Sequence, residues 1–165
     1  MSEPGSYLDG RAAVDFLRQS YGVQPQQLVL FGRSLGAAVA AEIAAQVDSL
    51  VLILESPFVS VPAMARALFP FLPLASLFST RYDTVEKVRR VKCPLLVLHG
   101  DRDEVVPFSQ GREVFEAAAE PKKFYTIVGA GHNDTYIAGG EAYFAALRAS
   151  LDWAASRAKR AAIFR

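Results

Sequence analysis

Cysteine occurs once and histidine twice in these 165 residues, and the two scarcities exclude a good deal. Cys93 has no partner for an internal disulfide, which points to a reducing, cytoplasmic setting. One cysteine and two distant histidines, His99 and His132, do not make a zinc ligand set. No metal is therefore expected, and no motif asks for a cofactor. Long hydrophobic runs are lacking too, since nothing approaches the roughly 18–20 apolar residues of a membrane span. The richest stretch, Leu68–Phe78, is interrupted by Pro70 and Pro73. The opening MSEPGSYLDG has no apolar core of the kind a signal peptide needs. A surplus of one charge sign is also missing: 18 Lys and Arg against 17 Asp and Glu leave a net charge of +1. That balance gives no electrostatic reason to expect nucleic acid. The basic tail at 156–165 reads as a solvated helix end, so membrane contact is not expected.

What is present is a globular composition, 52% hydrophobic and 21% charged, in a chain long enough for one core. Apolar strand-like segments at 27–31, 50–55, 94–100 and 123–129 alternate with segments of helical spacing. The latter run from about Leu8 to a stop at Gly22, from Leu35, across 109–119, and from about Glu141. LVLILE at 50–55 is apolar throughout, as strands buried on both faces are. The pattern predicts an α/β fold in one domain over 1–165, with a mostly parallel sheet of about four strands and flanking helices.

Residues 57–92 exceed what a single crossover helix needs. They read either as a helical excursion whose aromatics join the core or as a small lid insertion. In the second reading Phe69, Phe71, Leu74 and Phe78 line an apolar acyl pocket, with Phe58 and Val106 as further lining candidates.

The chemistry centres on LVLFGRSLGAAVAAEIAA at 28–45, a strand, a turn and a helix around Ser34. Gly-x-Ser-x-Gly alone is weak, because chance supplies it in roughly one chain in twenty of this length. Its strand-to-helix context makes it a candidate nucleophile elbow, formed by Gly32, Arg33 and Gly36 around a serine in an unfavourable backbone conformation. The helix start aims free N–H groups at the same point, which nominates the Leu35 N–H as an oxyanion donor. The competing reading of Ser34 is an ordinary helix N-cap. A serine nucleophile needs a base, and His132, on a glycine-rich loop after the last strand, is better placed to reach back than His99. The segment HGDRDEVVP supplies Asp101, Asp103 and Glu104 as acids to orient the imidazole. Glu55, closing an apolar strand, suggests an ion pair with Arg33 that braces the elbow.

The segments LFGRSLGAAVA, LILESPFVS, PLLVLHGDRDEVVPFSQG and GAGHND together resemble the α/β-hydrolase superfamily, in its serine-aminopeptidase-like branch of small esterases and acyl-thioesterases. The resemblance runs from about residue 5 to residue 155. It implies a Ser34–Asp103–His132 triad, because the family acid stands three residues after the glycine of its His-Gly motif. Asp101 is then left to cap a turn. The implied reaction is hydrolysis of a carboxylic ester or thioester of a small acyl substrate through an acyl-enzyme.

The family pattern usually opens with strands that have no counterpart here, including the loop that carries the second oxyanion donor. Two expectations follow from a truncated hydrolase domain of this kind. The strand at 27–31 lies at a sheet edge, which favours a homodimer formed through that edge. The competing functional class is a domain that binds or assembles and catalyses poorly or not at all.

Overall fold

In a computed structural model of the chain, residues 2–69, 71 and 79–163 are described. Four strands make one sheet: β1 (Val29–Arg33), β2 (Val51–Glu55), β3 (Leu95–Gly100) and β4 (Lys122–Ile127). They lie in the order β1-β2-β3-β4 and every pairing is parallel, so β1 and β4 are its two edges. The helices among the described residues are α1 (Glu3–Tyr21), α2 (Leu35–Gln46), α3 (Val61–Leu68), α4 (Thr84–Val88), α5 (Phe108–Ala117) and α6 (Thr135–Ile163). The sequence pattern thus yields the predicted α/β class, with three refinements of position. α1 begins at Glu3, where Ser2 caps it by accepting from the Gly5 N–H and Pro4 occupies the first turn. β1 begins two residues later than expected because Pro25–Gln27 close a single 3-10 turn. α6 begins at Thr135 and breaks at Gly140, whose φ is 49°, so the segment expected from Glu141 is its second part.

β2 and β3 are buried along their whole length, which explains their unbroken runs of apolar residues. On one face Leu52, Leu54, Leu95 and Val97 pack against α2, α4 and α5. The α2 side of that contact is small: Ala37, Ala40, Ala41 and Ala44, which lets the helix lie close on the strands. Fully burying a leucine in this layer contributes about 1.5–3 kcal/mol. α1 packs over α2 through Val14, Ile43 and Val47. On the other face α6 covers Val51, Ile53, Leu96, Leu98 and Ile127 with Tyr143, Leu147, Leu151 and Ala154. It does not reach the edge: Val29 and Phe31, in register with Val51 and Ile53, remain 38% and 48% exposed.

The described residues of the 57–92 segment hold two helices, α3 and α4, and are tied down at both ends. Ser60 caps α3, and Glu3 of α1 accepts from the Arg81 and Tyr82 N–H groups. Lys87 stands 3.7 Å from the same carboxylate.

Candidate active site

The turn between β1 and α2 is built around backbone strain. Ser34 has φ 52° and ψ −119°, a region that non-glycine residues seldom occupy. Its N–H continues the sheet ladder to the Glu55 carbonyl at 2.9 Å, while its side chain makes no capping bond to α2. The N-cap reading therefore fails, and the hydroxyl is free for another partner. Gly32 is required by the turn, since a Cβ there would lie 2.2 Å from the Gly36 carbonyl oxygen. Gly36 is different: a Cβ on it would meet nothing within 4 Å, so crowding explains only the first glycine of the motif. Leu35 opens α2, and its N–H is among the first-turn donors that have no acceptor inside the helix.

The acid comes from the turn after β3. Asp103 Oδ1 accepts from the backbone N–H groups of Val105 and Val106, at 3.0 and 2.7 Å. Its Oδ2 accepts from His132 Nδ1 at 2.8 Å. The carboxylate side chain is wholly buried. Burial by itself would raise its pKa, but hydrogen bonds from His99, His132 and the Val106 N–H outweigh that effect. They hold the carboxyl well below the usual range.

Because Asp103 accepts at Nδ1, the other ring nitrogen of His132 is left to accept from Ser34 Oγ, which lies 3.1 Å away. Ser34, His132 and Asp103 thus form one hydrogen-bonded chain across three strand ends. The loop that carries His132 is fastened from several sides. Asp101 Oδ1 accepts from the Gly129 N–H at 2.6 Å, so it fastens the loop after β4 where a cap of its own turn was expected. Glu104 Oε2 accepts from the His132 N–H at 3.2 Å, and Asp134 Oδ1 from the Gly131 N–H at 2.7 Å.

His99 does not enter this chain. It is fully buried, and its Nε2–H donates to the Val106 carbonyl at 3.0 Å while standing 3.4 Å from Asp103 Oδ2. It props the acid loop from below. The expected Arg33–Glu55 pair is present at 3.2 Å. Sequence reasoning missed its further partners, Thr135 and Tyr143, which donate to Glu55 from 80 and 88 residues away. Only the lone acidic residue ending β2 hinted that such partners were needed.

The apolar residues expected at a pocket divide three ways. Phe58 and Val106 are core, clustered with Ala38 and Tyr82. Phe69 and Phe71 stand on the surface, 49% and 96% exposed. Leu74 and Phe78 lie outside the described residues. A groove of about 810 Å³ exists elsewhere, among Val47, Leu50, Cys93, Pro94, Ala154 and Arg157. It lies at the amino ends of β2 and β3, opposite the carboxyl ends where Ser34, Asp103 and His132 meet. Among the described residues no cluster of His, Cys, Asp and Glu suited to a metal is found, and no helix is long and apolar enough to cross a membrane.

Comparison with known proteins bears on the family and the fold. The family model for the alpha/beta hydrolase domain matches residues 11–137. An uncharacterized protein of Mycobacterium tuberculosis, Rv2307c, is 38% identical over 150 residues, covering 91% of this chain and 53% of its own. The human alpha/beta hydrolase domain-containing protein 17B is 33% identical over 138 residues, covering 84% of this chain and 46% of its own. The chain therefore spans about half the length of the curated relatives it matches. Among solved structures, the Pyrococcus furiosus esterase Pf2001 superposes with a TM-score of 0.71 at 21% identity, over 88% of this chain and 61% of that one. With the family model covering most of the sequence and the fold matching, the chain belongs to the alpha/beta hydrolase family.

Proposed function

We propose that this chain carries the catalytic centre of a serine hydrolase that cleaves carboxylic esters or thioesters through an acyl-enzyme. The observation that supports it most is the hydrogen-bonded chain Ser34–His132–Asp103, with a strained serine whose side chain does not cap its own helix.

In this reading Ser34 Oγ attacks the acyl carbon while His132 Nε2 takes its proton. The carbonyl oxygen becomes an oxyanion that the Leu35 N–H binds at the amino end of α2. Collapse of the adduct expels an alkoxide or thiolate, which leaves protonated by His132. Water then enters by the reverse sequence, giving up its proton to His132 and releasing the free acid and Ser34. Asp103 holds the imidazole in the tautomer these steps need and stabilises its charged form. The narrower activity, an ester or thioester of a small acyl group with no cofactor, is supported by the resemblance of the motifs and by a structural neighbour that is itself an esterase.

The test is labelling by a fluorophosphonate probe together with turnover of p-nitrophenyl acetate. Both are expected in the native sequence and absent in Ser34→Ala. A folded protein that neither labels nor turns over would reject the enzyme reading and leave the family's fold in a binding or assembling part.

A further inference from the structure

We propose that Arg33 and Glu55 form a clasp that sets the spacing between nucleophile and base, with Arg33 as a positioning residue. The proposal rests on reading Ser34 and His132 as those two groups. The spacing is a demanding one for this fold. Ser34 follows β1 and His132 follows β4, and these are the two outermost strands, with β2 and β3 between them. The sheet ladder joins them only indirectly, through β2 and β3. Asp103 anchors the imidazole to the turn after β3, which leaves the distance to β1 to be fixed by other means.

Arg33 supplies that connection. It is the residue directly before Ser34, and its Nη2 donates to the main-chain carbonyl of His132 and to Asn133 Oδ1 at 3.0 Å. Apart from the Ser34–His132 bond itself, these are the hydrogen bonds among the described residues that join β1 to the His132 loop. An arginine chain is long and mobile, and it holds a position only when its fork is engaged on more than one side. Glu55, 2% exposed at the end of the intervening strand β2, provides the second side as an ion pair, its carboxylate 3.2 Å from Arg33 Nε.

Glu55 is in turn held rigidly. Its Oε1 also accepts from Thr135 Oγ1 at 2.6 Å, and its Oε2 accepts from Tyr143 OH at 2.6 Å. Thr135 is the first residue of α6, immediately beyond the His132 loop, and Tyr143 lies past the break at Gly140. One buried carboxylate therefore fixes both the guanidinium and the helix into which the His132 loop runs. A plain ion pair would brace the elbow alone. Here the same guanidinium grips the backbone of the base, so it sets the two groups relative to each other.

The experiment compares Arg33→Met, Arg33→Lys, Glu55→Gln and the double variant Arg33→Met with Glu55→Gln. The double variant removes the buried charge together with its partner, so it guards against a fold lost to an unpaired carboxylate. Turnover of p-nitrophenyl acetate is measured beside the ring nitrogen and carbon NMR signals of histidine. The chain has two histidines, and His99, wholly buried and donating to the Val106 carbonyl, serves as the internal reference. Arg33→Met is expected to lower kcat about 10- to 100-fold, as a misplacement of an ångström does, with KM changed less than about twofold. Arg33→Lys, reaching one acceptor, should recover part of the loss. The double variant should lose no more than Arg33→Met, because the two residues act as a unit. The His132 signals should move or broaden while those of His99 stay. Folded Arg33→Met or double-variant protein with native kcat and native His132 signals would overturn the clasp and leave the hydrolase reading intact. If the native protein shows no Ser34-dependent turnover, the hydrolase reading fails and the His132 signals decide the clasp alone: shifted in Arg33→Met they support it, unshifted they end it.

Discussion

Gly111 of α5 lies directly against the ring of His99: a Cβ built on the glycine would stand 2.1 Å from His99 Nδ1. That nitrogen is buried without a hydrogen-bond partner among the described residues, and the opposite one is committed to the Val106 carbonyl. The ring is thus wedged between a helix and the acid loop. It has no room to turn, and this contact passes the position of α5 on to the segment that carries Asp103.

Gly111→Ala is accordingly expected to be destabilising although alanine is the better helix former. Overpacking of this kind costs about 1–3 kcal/mol, and in a chain of this size each kcal/mol lowers Tm by about 2–4 °C. Thermal unfolding measures it. Unchanged Tm would show that the ring has space to retreat.

The two glycines of the elbow should respond in opposite ways. Gly32→Ala drives a methyl group to within 2.2 Å of the Gly36 carbonyl and 2.7 Å of the Ala40 side chain, so the turn must open and stability must fall. Gly36→Ala meets open space inside a helix and should hold or raise stability, by up to about 1 kcal/mol. Urea unfolding of the two variants in parallel gives the comparison, and equal losses would refute it.

Asp103→Asn should keep the site's shape while favouring the wrong imidazole tautomer. In triads of this type such a change lowers kcat by about 10⁴. The same residue makes a signed prediction for stability. Its carboxyl is held below the usual range in the folded state, so the unfolded chain binds the proton first as pH falls. The stabilisation is present above the ordinary carboxylate pKa of about 4 and is lost progressively as pH drops below it towards the folded value. The native protein should therefore lose Tm more steeply than Asp103→Asn between about pH 4 and pH 2. Parallel slopes in thermal scans would contradict this.

The free edge of β1 predicts self-association. Val29 and Phe31 are exposed beside a strand whose outer side pairs with nothing among the described residues. An open apolar edge of this kind recruits another strand, and a second copy meeting it across a two-fold axis would satisfy both. Light scattering at micromolar concentration is expected to give a dimer, with Phe31→Lys monomeric. A monomeric native protein would exclude it.

The four strands, the helices between them and the Ser34 elbow were legible because each leaves a local signal. Unbroken apolar runs mark β2 and β3, and Gly32, required by contact with Gly36, marks the turn. The pocket was not legible. Phe58 and Phe71 look alike in sequence, yet one is buried with Ala38 and the other is in water. Aromatic character says that a side chain gains from burial, not which ones find a place.

The sequence by itself therefore determined the α/β class, the elbow serine and the order in which serine, acid and base follow one another, since these depend on local pattern and spacing. The family resemblance already implied Asp103 opposite His132, but only the tertiary structure decided that Asp101 and Glu104 fasten the His132 loop and that His99 becomes a wedge. Glu55 shows why most plainly. Its three partners in the clasp, Arg33, Thr135 and Tyr143, lie on β1 and on the two parts of α6, and a buried carboxylate can be recognised from sequence long before the donors that must surround it.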